Sequence, residues 1–223
     1  MNAFIISESN DEGEVIKLIL RQASLDVSVA RDLDHVFDHW TNNWSDMLIL
    51  AGSDNTVVLE NVAKIRAHTS VPLLIITEPP AETELCLMLE NGTDLVLSRP
   101  VSPRVLAHYT KVLLRRTETL AAFALPTLEL DEIKLDPSTH TVYVVGKEPS
   151  HLTQLEFYLL YVLMNNRNQV VPTDVIVDQV WGYDGRGDRE LVRGLISRLR
   201  RKLEPNSKKP HFIHTIPGVG YRF

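Results

Sequence analysis

The sequence predicts an α/β protein in two parts: a doubly wound parallel-sheet domain of five strand–helix units, then a winged helix-turn-helix. Three observations carry this. Short apolar strands alternate with amphipathic helices as far as residue 116. The pattern lapses over 117–126 (TETLAAFALP). Beyond it the rhythm changes to period-two strands, three helical stretches and a terminal hairpin. The boundaries follow: a first domain over 1–116, a linker over 117–126 and a second domain over 127–223.

In the first domain the strands are expected at 3–7, 26–30, 46–51, 72–77 and 94–97. Helical stretches fill the intervals, among them 11–23 with Val15, Ile16, Ile19 and Leu20, and 103–116 with Leu106, Thr110 and Leu113. Apolar strands of this length separated by helices form a parallel sheet covered on both faces. In such sheets ligand chemistry sits at the carboxyl ends of the strands. Ser7, Glu8, Ala51, Gly52, Thr77 and the loop 98–100 therefore surround one crevice. In the second domain, 127–152 alternates with turn residues and forms a small antiparallel sheet. Helices follow at 153–166, 173–181 and 188–203, and HFIHTIPGVGYRF closes the chain as a hairpin with its tip at Ile216, Pro217 and Gly218.

Hydrophobic residues at 44% and charged residues at 23% supply two cores of ordinary size. No apolar run approaches the length needed to span a bilayer, and the start MNAFIISESNDEG carries no basic leader, so no membrane association and a cytoplasmic location are expected. The single cysteine, Cys86, excludes an internal disulfide framework. Charge is uneven: 10 Lys+Arg against 17 Asp+Glu over 1–125, and 13 against 12 over 126–223, within a formal net charge of −6. Between 189 and 202, Arg189, Arg193, Arg198, Arg200, Arg201 and Lys202 face only Glu190. An acidic half joined to a locally basic one points to a regulatory part and an anion-binding part.

On a helical wheel, Leu191, Val192, Leu195, Ile196, Leu199 and Leu203 gather on one side of the basic helix. Glu190, Arg193, Gly194, Ser197, Arg198 and Arg201 are placed on the other. Guanidinium forks match phosphate oxygens and guanine edges with paired N–H donors. Most charge runs are only solvated faces. Here the sign bias, the preceding turn-linked helix and the trailing hairpin favour binding of double-stranded DNA. Thr215 and Arg222 of the hairpin are candidates for phosphate contact.

The stretches LTQLEFYLLYVLMNNRNQVV (152–171), VWGYDGRGD (180–188), ISRLRRKLEP (196–205) and IPGVGYRF (216–223) closely resemble the effector domain of the OmpR/PhoB-type response regulators. The resemblance implies that 188–203 is the recognition helix, and that homodimers bind paired half-sites. It also implies that 181–188, with Trp181, Gly182, Tyr183 and Asp184, contacts RNA polymerase. Arg198 and Arg200 stand where the family has basic residues on the recognition helix and Thr215 at a usual phosphate contact, whereas Glu190, Leu195 and Pro217 depart from the family's common Arg, His and Arg.

Residues 1–116 resemble the family's CheY-like receiver domain more weakly, through VPLLIIT (71–77) and NGTDLVLSRPVSP (91–103). A working receiver has an acidic pair, a phosphoacceptor aspartate, Thr or Ser, and Lys. Those positions here are Ser7 and Glu8, Ala51, Thr77 and Arg99, with Val96 at the family's aromatic switch position. An alanine methyl has no oxygen to accept phosphate. One carboxylate of three is a poor start for octahedral Mg²⁺. Asp54 and Ser53 lie past the strand, and Asp54 reads as a turn residue. The resemblance makes the Arg99–Pro100 bond cis. In the family, receivers pair through the fourth helix, fifth strand and fifth helix, where Leu95, Val105, Tyr109 and Val112 here suggest an apolar dimer face.

The leading expectation is a phosphorylation-independent, homodimeric transcription regulator with no cofactor, no metal and no catalytic residue. A protein-interaction adaptor with weak DNA binding is an alternative, supported by Glu190 and Pro217. A ligand or redox sensor using the crevice or Cys86 is another. His35 and His39, spaced i, i+4, are weak evidence for a metal.

Overall fold

Residues 47–51 (MLILA) and 73–77 (LLIIT) are buried along their whole length, as interior strands of a sheet covered on both faces must be. The computed structural model describes residues 2–33, 36–37, 45–122, 125–130, 132–182 and 189–223, without the side chains of 115–122. The chain divides into two compact units, Met1–Thr117 and Glu118–Phe223.

The first unit is a five-stranded parallel sheet in the order β2-β1-β3-β4-β5. Its strands are β1 (Asn2–Ser7), β2 (Asp26–Ala30), β3 (Met47–Ala51), β4 (Leu73–Thr77) and β5 (Leu95–Ser98). The helices are α1 (Asn10–Gln22), α2 (Asn55–His68), α3 (Glu82–Asn91) and α4 (Pro103–Ala122). Ser9 caps α1 by accepting from the Glu12 amide. Asp54, expected as a turn residue, caps α2 through its contact with the Thr56 amide at 2.8 Å. The order of the sheet reverses between β1 and β3, so the carboxyl ends of these strands open a crevice there. The Arg99–Pro100 peptide is cis. His35 and His39 lie outside the described residues.

α4 runs to Ala122, into the stretch expected as a linker. The lapse in apolar period there reflects no helix breaker: Thr-Glu-Thr-Leu-Ala-Ala lacks Gly and Pro, and Leu, Ala and Glu favour helix.

The second unit begins with an antiparallel sheet of β6 (Leu128–Leu130), β7 (Ile133–Asp136), β8 (Thr141–Val144) and β9 (Ser150–His151). Three helices follow: α5 (Gln154–Asn165), α6 (Thr173–Trp181) and α7 (Arg189–Leu203). α5 is apolar nearly all round and central to the core, with Phe157, Leu159, Leu160 and Leu163 fully buried. Thr153 and Glu156 form a reciprocal capping box at its start. Gly182 ends α6 in the left-handed region at φ 79°, where a side chain would be strained. The terminal hairpin, β11 (His214–Ile216) and β12 (Gly220–Arg222), is joined by β10 (Val170–Pro172) in the order β10-β12-β11. This third strand is absent from the sequence expectation.

Candidate nucleic-acid interface and strand-end crevice

Leu191, Val192, Leu195, Ile196, Leu199 and Leu203 of α7 are buried, as the wheel requires, while Arg189, Arg193 and Arg201 are exposed and Ser197 is half-buried. The N-terminal half of α7 and the wing enclose an open cleft of about 630 Å³, lined by Arg189, Arg193, Thr173, Thr215 and Tyr221 among others. Arg222 is exposed on β12, paired with both Val170 and His214. Burial keeps the Tyr221 phenol above its usual pKa against the opposing pull of Arg200 and Arg193.

Two residues depart from the expected cationic face. Gly194 and Arg198 are buried, Arg198 to 5% exposure. Arg198 Nε lies 3.5 Å from Oε1 of Glu156, itself 2% exposed on α5. Lys202 Nζ reaches the other carboxylate oxygen at 2.6 Å and the His151 carbonyl at 2.8 Å. Burial would raise the Glu156 pKa, but Arg198 and Lys202 outweigh it and hold the carboxyl below its ordinary value. A buried carboxylate requires such partners. The signal was present in the spacing: Arg198 follows Leu191 by seven residues and shares its side of the helix. Arg200 is likewise engaged, by the Ile213 carbonyl and the Thr215 hydroxyl.

Trp181 is fully buried as the last residue of α6, so it packs the core and offers no surface. Gly182 follows it half-buried, and Tyr183 and Asp184 lie outside the described residues.

At the carboxyl ends of the parallel strands, Ser7, Ala51 and Thr77 come together as expected. Ala51 is 2% exposed and pairs with Ser7 on one side and Ile76 on the other. Ser7 Oγ donates to the Ser9 carbonyl at 2.9 Å. Thr77 Oγ1 donates to Asn55 Oδ1 at 2.6 Å, a structural engagement. Glu8 is exposed and accepts from Ser53 Oγ at 3.3 Å.

Arg99 reaches across this crevice. Its Nε and Nη2 donate to the two carboxylate oxygens of Glu12 at 2.8 and 2.9 Å, and Nη1 donates to the Gly52 carbonyl at 2.7 Å. Glu78 stands 3.8 Å from Nη1. Glu12, in the first turn of α1, is absent from the sequence expectation; its carboxylate turns to Arg99. Beside Ala51 lies a cavity of about 210 Å³, with Ile6 and Leu50 in its floor and Glu8, Arg31, Asp32 and Lys64 among its lining.

The expected dimer stripe is divided. Val105 is 41% exposed and Tyr109 half-buried, but Val112 and Leu95 are buried. Leu95 is buried at the start of β5, and α4 buries Val112, Leu113 and Leu114 in succession, so the stripe ends after Tyr109.

No described helix is long and apolar enough to cross a membrane. A winged helix with an exposed row of arginines beside its hairpin defines a DNA-binding regulator, and the comparisons agree. Residues 146–223 match the family model described as transcriptional regulatory protein, C terminal. The DNA-binding response regulator MtrA of Mycolicibacterium smegmatis is 30% identical, over 98% of this chain and 94% of that one. YclJ of Bacillus subtilis, an uncharacterized transcriptional regulatory protein, is 33% identical over 72% of this chain and 70% of its own. The solved structure of a RitR mutant shares the fold at a TM-score of 0.77 and 19% identity, covering 99% of this chain and 97% of that one. The chain belongs to the OmpR/PhoB-type response regulators, DNA-binding regulators of transcription.

Proposed function

We propose that this response regulator controls transcription without aspartyl phosphorylation, as a standing homodimer. The observation that carries the reading is the pair Ala51 and Arg99. The third strand ends in a methyl group where the family's chemistry needs a carboxylate, and the guanidinium tied to Glu12 and Gly52 lies across the crevice. A nucleophilic oxygen is required for phosphoryl transfer, and Glu8 alone at the family's acidic positions is a poor start for octahedral Mg²⁺. The dimer is assigned to the outer surface of α4 around Val105 and Tyr109, where apolar side chains favour burial in a partner. Arg189, Arg193, Ser197, Arg201, Thr215 and Arg222 face the DNA, and the segment after Trp181, with Gly182, Tyr183 and Asp184, is assigned to RNA polymerase.

The test is the mass of the full chain by light scattering across dilution, with and without acetyl phosphate and Mg²⁺, alongside phosphoryl labelling. A dimer indifferent to the donor, with no label, is expected. Labelling with donor-dependent dimerisation would overturn the reading. A second reading, a ligand sensor, is favoured by the cavity beside Ala51 with its mixed-charge lining and apolar floor. A chain that stays monomeric with and without the donor would favour it.

A further inference from the structure

Arg198, Arg200 and Lys202 of α7 are engaged within the protein. Arg198 and Lys202 are held by Glu156, and Arg200 is held by the wing. Arg200 Nε and Nη2 both donate to the Ile213 carbonyl, at 3.1 and 2.7 Å, and Nη2 also donates to Thr215 Oγ1 at 2.8 Å. Two acceptors on the segment leading into and forming β11 are thus gripped by one planar fork from the recognition helix. Lysine, a compact ammonium on a flexible stem, has no such fixed geometry.

The consequence lies at Thr215. A hydroxyl has one proton to donate and two lone pairs to accept. By accepting from Arg200, Thr215 keeps its proton for an outside partner, and the guanidinium charge polarises that O–H. Thr215 is exposed and lines the same cleft as Arg189 and Arg193. We propose that Arg200 is a positioning residue of the DNA face: its guanidinium fixes the wing against α7 and presents the Thr215 hydroxyl proton to a DNA phosphate. Direct cationic contact with DNA across the cleft then falls to Arg189 and Arg193. The inference rests on DNA binding by the second unit and is independent of how the first unit is switched.

The experiment uses the full chain and one fixed duplex, selected from a random pool by the wild-type protein. Binding is measured against salt concentration, and amide exchange of the wing is measured without DNA. Arg200→Lys, which keeps the charge, and Arg200→Gln, which removes it, are expected to weaken binding about ten- to a hundredfold, the scale of one charge-assisted hydrogen bond. Both are expected to speed exchange at the amides of 214–216 and 220–222 in the free protein. The salt slope is expected to stay unchanged even in Arg200→Gln, because no phosphate loses a cation. Arg193→Gln should instead reduce the slope by about one and leave wing exchange alone. Thr215→Val should weaken binding, and its combination with Arg200→Lys should be no weaker than the worse single variant. Three results would each overturn the proposal: wild-type affinity in Arg200→Lys, a slope reduced by about one in Arg200→Gln with wing exchange unchanged, or additive losses in the double variant.

Discussion

Glu156 does three things with one carboxylate. It receives the Thr153 amide at 2.9 Å to close the capping box, it neutralises Arg198 in the core, and it ties Lys202 to α5. Replacing it with alanine leaves a buried guanidinium uncompensated, so Glu156→Ala should cost the second unit about 3 kcal/mol in urea denaturation. Glu156→Ala combined with Arg198→Met should recover part of the loss, and failure to recover any would mean that packing or capping dominates. The same carboxyl sets an acid limit. Its folded pKa lies below its ordinary value, so its contribution is complete above about 4.5 and is lost as pH falls through the folded pKa. Stability of the second unit should therefore fall on acidification below about 4.5, and Glu156→Ala should flatten that fall. In the first unit the corresponding test concerns the crevice. Ala51→Asp alone restores the acceptor oxygen but leaves Ser7 without a charge and Arg99 on Glu12, so no labelling by acetyl phosphate is expected. Ser7→Asp, Ala51→Asp and Arg99→Lys together restore the carboxylates and the ammonium and should yield Mg²⁺-dependent labelling. A labelled single variant would show that the arginine is no obstacle.

The wing sheet is held by a close backbone approach. A Cβ built on Gly220 would lie 2.0 Å from the Val171 carbonyl oxygen and 2.9 Å from the Pro172 Cα. Backbone cannot yield as a side chain end can, so Gly220→Ala must part β10 from β12. A loss of roughly 2 kcal/mol or more is expected in the second unit, with DNA affinity falling and the unfolding of the first unit unmoved. Retention of wild-type stability would mean that β10 contributes little to the wing. This strand also marks the limit of what the sequence discloses. The long elements are legible because a buried parallel strand and an amphipathic helix each repeat a period over many residues. β10 has three residues and no period, so Val170 and Val171 pass for a connection between helices. The end of α4 is hidden for the opposite reason, since helix continues where amphipathic period stops. At the sites, Ala51 and the exposed arginines are legible from local spacing. The Arg99–Glu12 clamp is not, because 87 residues separate partners that only the parallel topology brings together. Arg198 misleads because its charge says surface while its register says core.

At the scale of the whole chain, charge and valency decide what the two units achieve together. The half over 1–125 carries the acidic excess and the half over 126–223 is close to neutral, with its cations concentrated on α7. A single recognition helix so placed contacts few phosphates, and a helix that carries Glu190 in its first turn gives up some of that attraction. Tight binding to paired half-sites then depends on linking two second units, and the only linkage proposed is between first units around Val105 and Tyr109. Two sites engaged by a linked pair gain about 10²–10⁴ over one without any new contact. Val105→Glu with Tyr109→Glu places like charges on both partners at the assigned face and should yield a monomer by light scattering. Affinity for a duplex with two half-sites should drop by roughly 10²-fold or more. Affinity for a duplex with one half-site should stay within about twofold of the isolated second unit's own, since both substitutions lie in the first unit. A double variant that remains dimeric would move the interface away from α4. Equal losses on both duplexes would mean that the first unit acts on the DNA-binding unit directly, and the account in terms of linkage would fail.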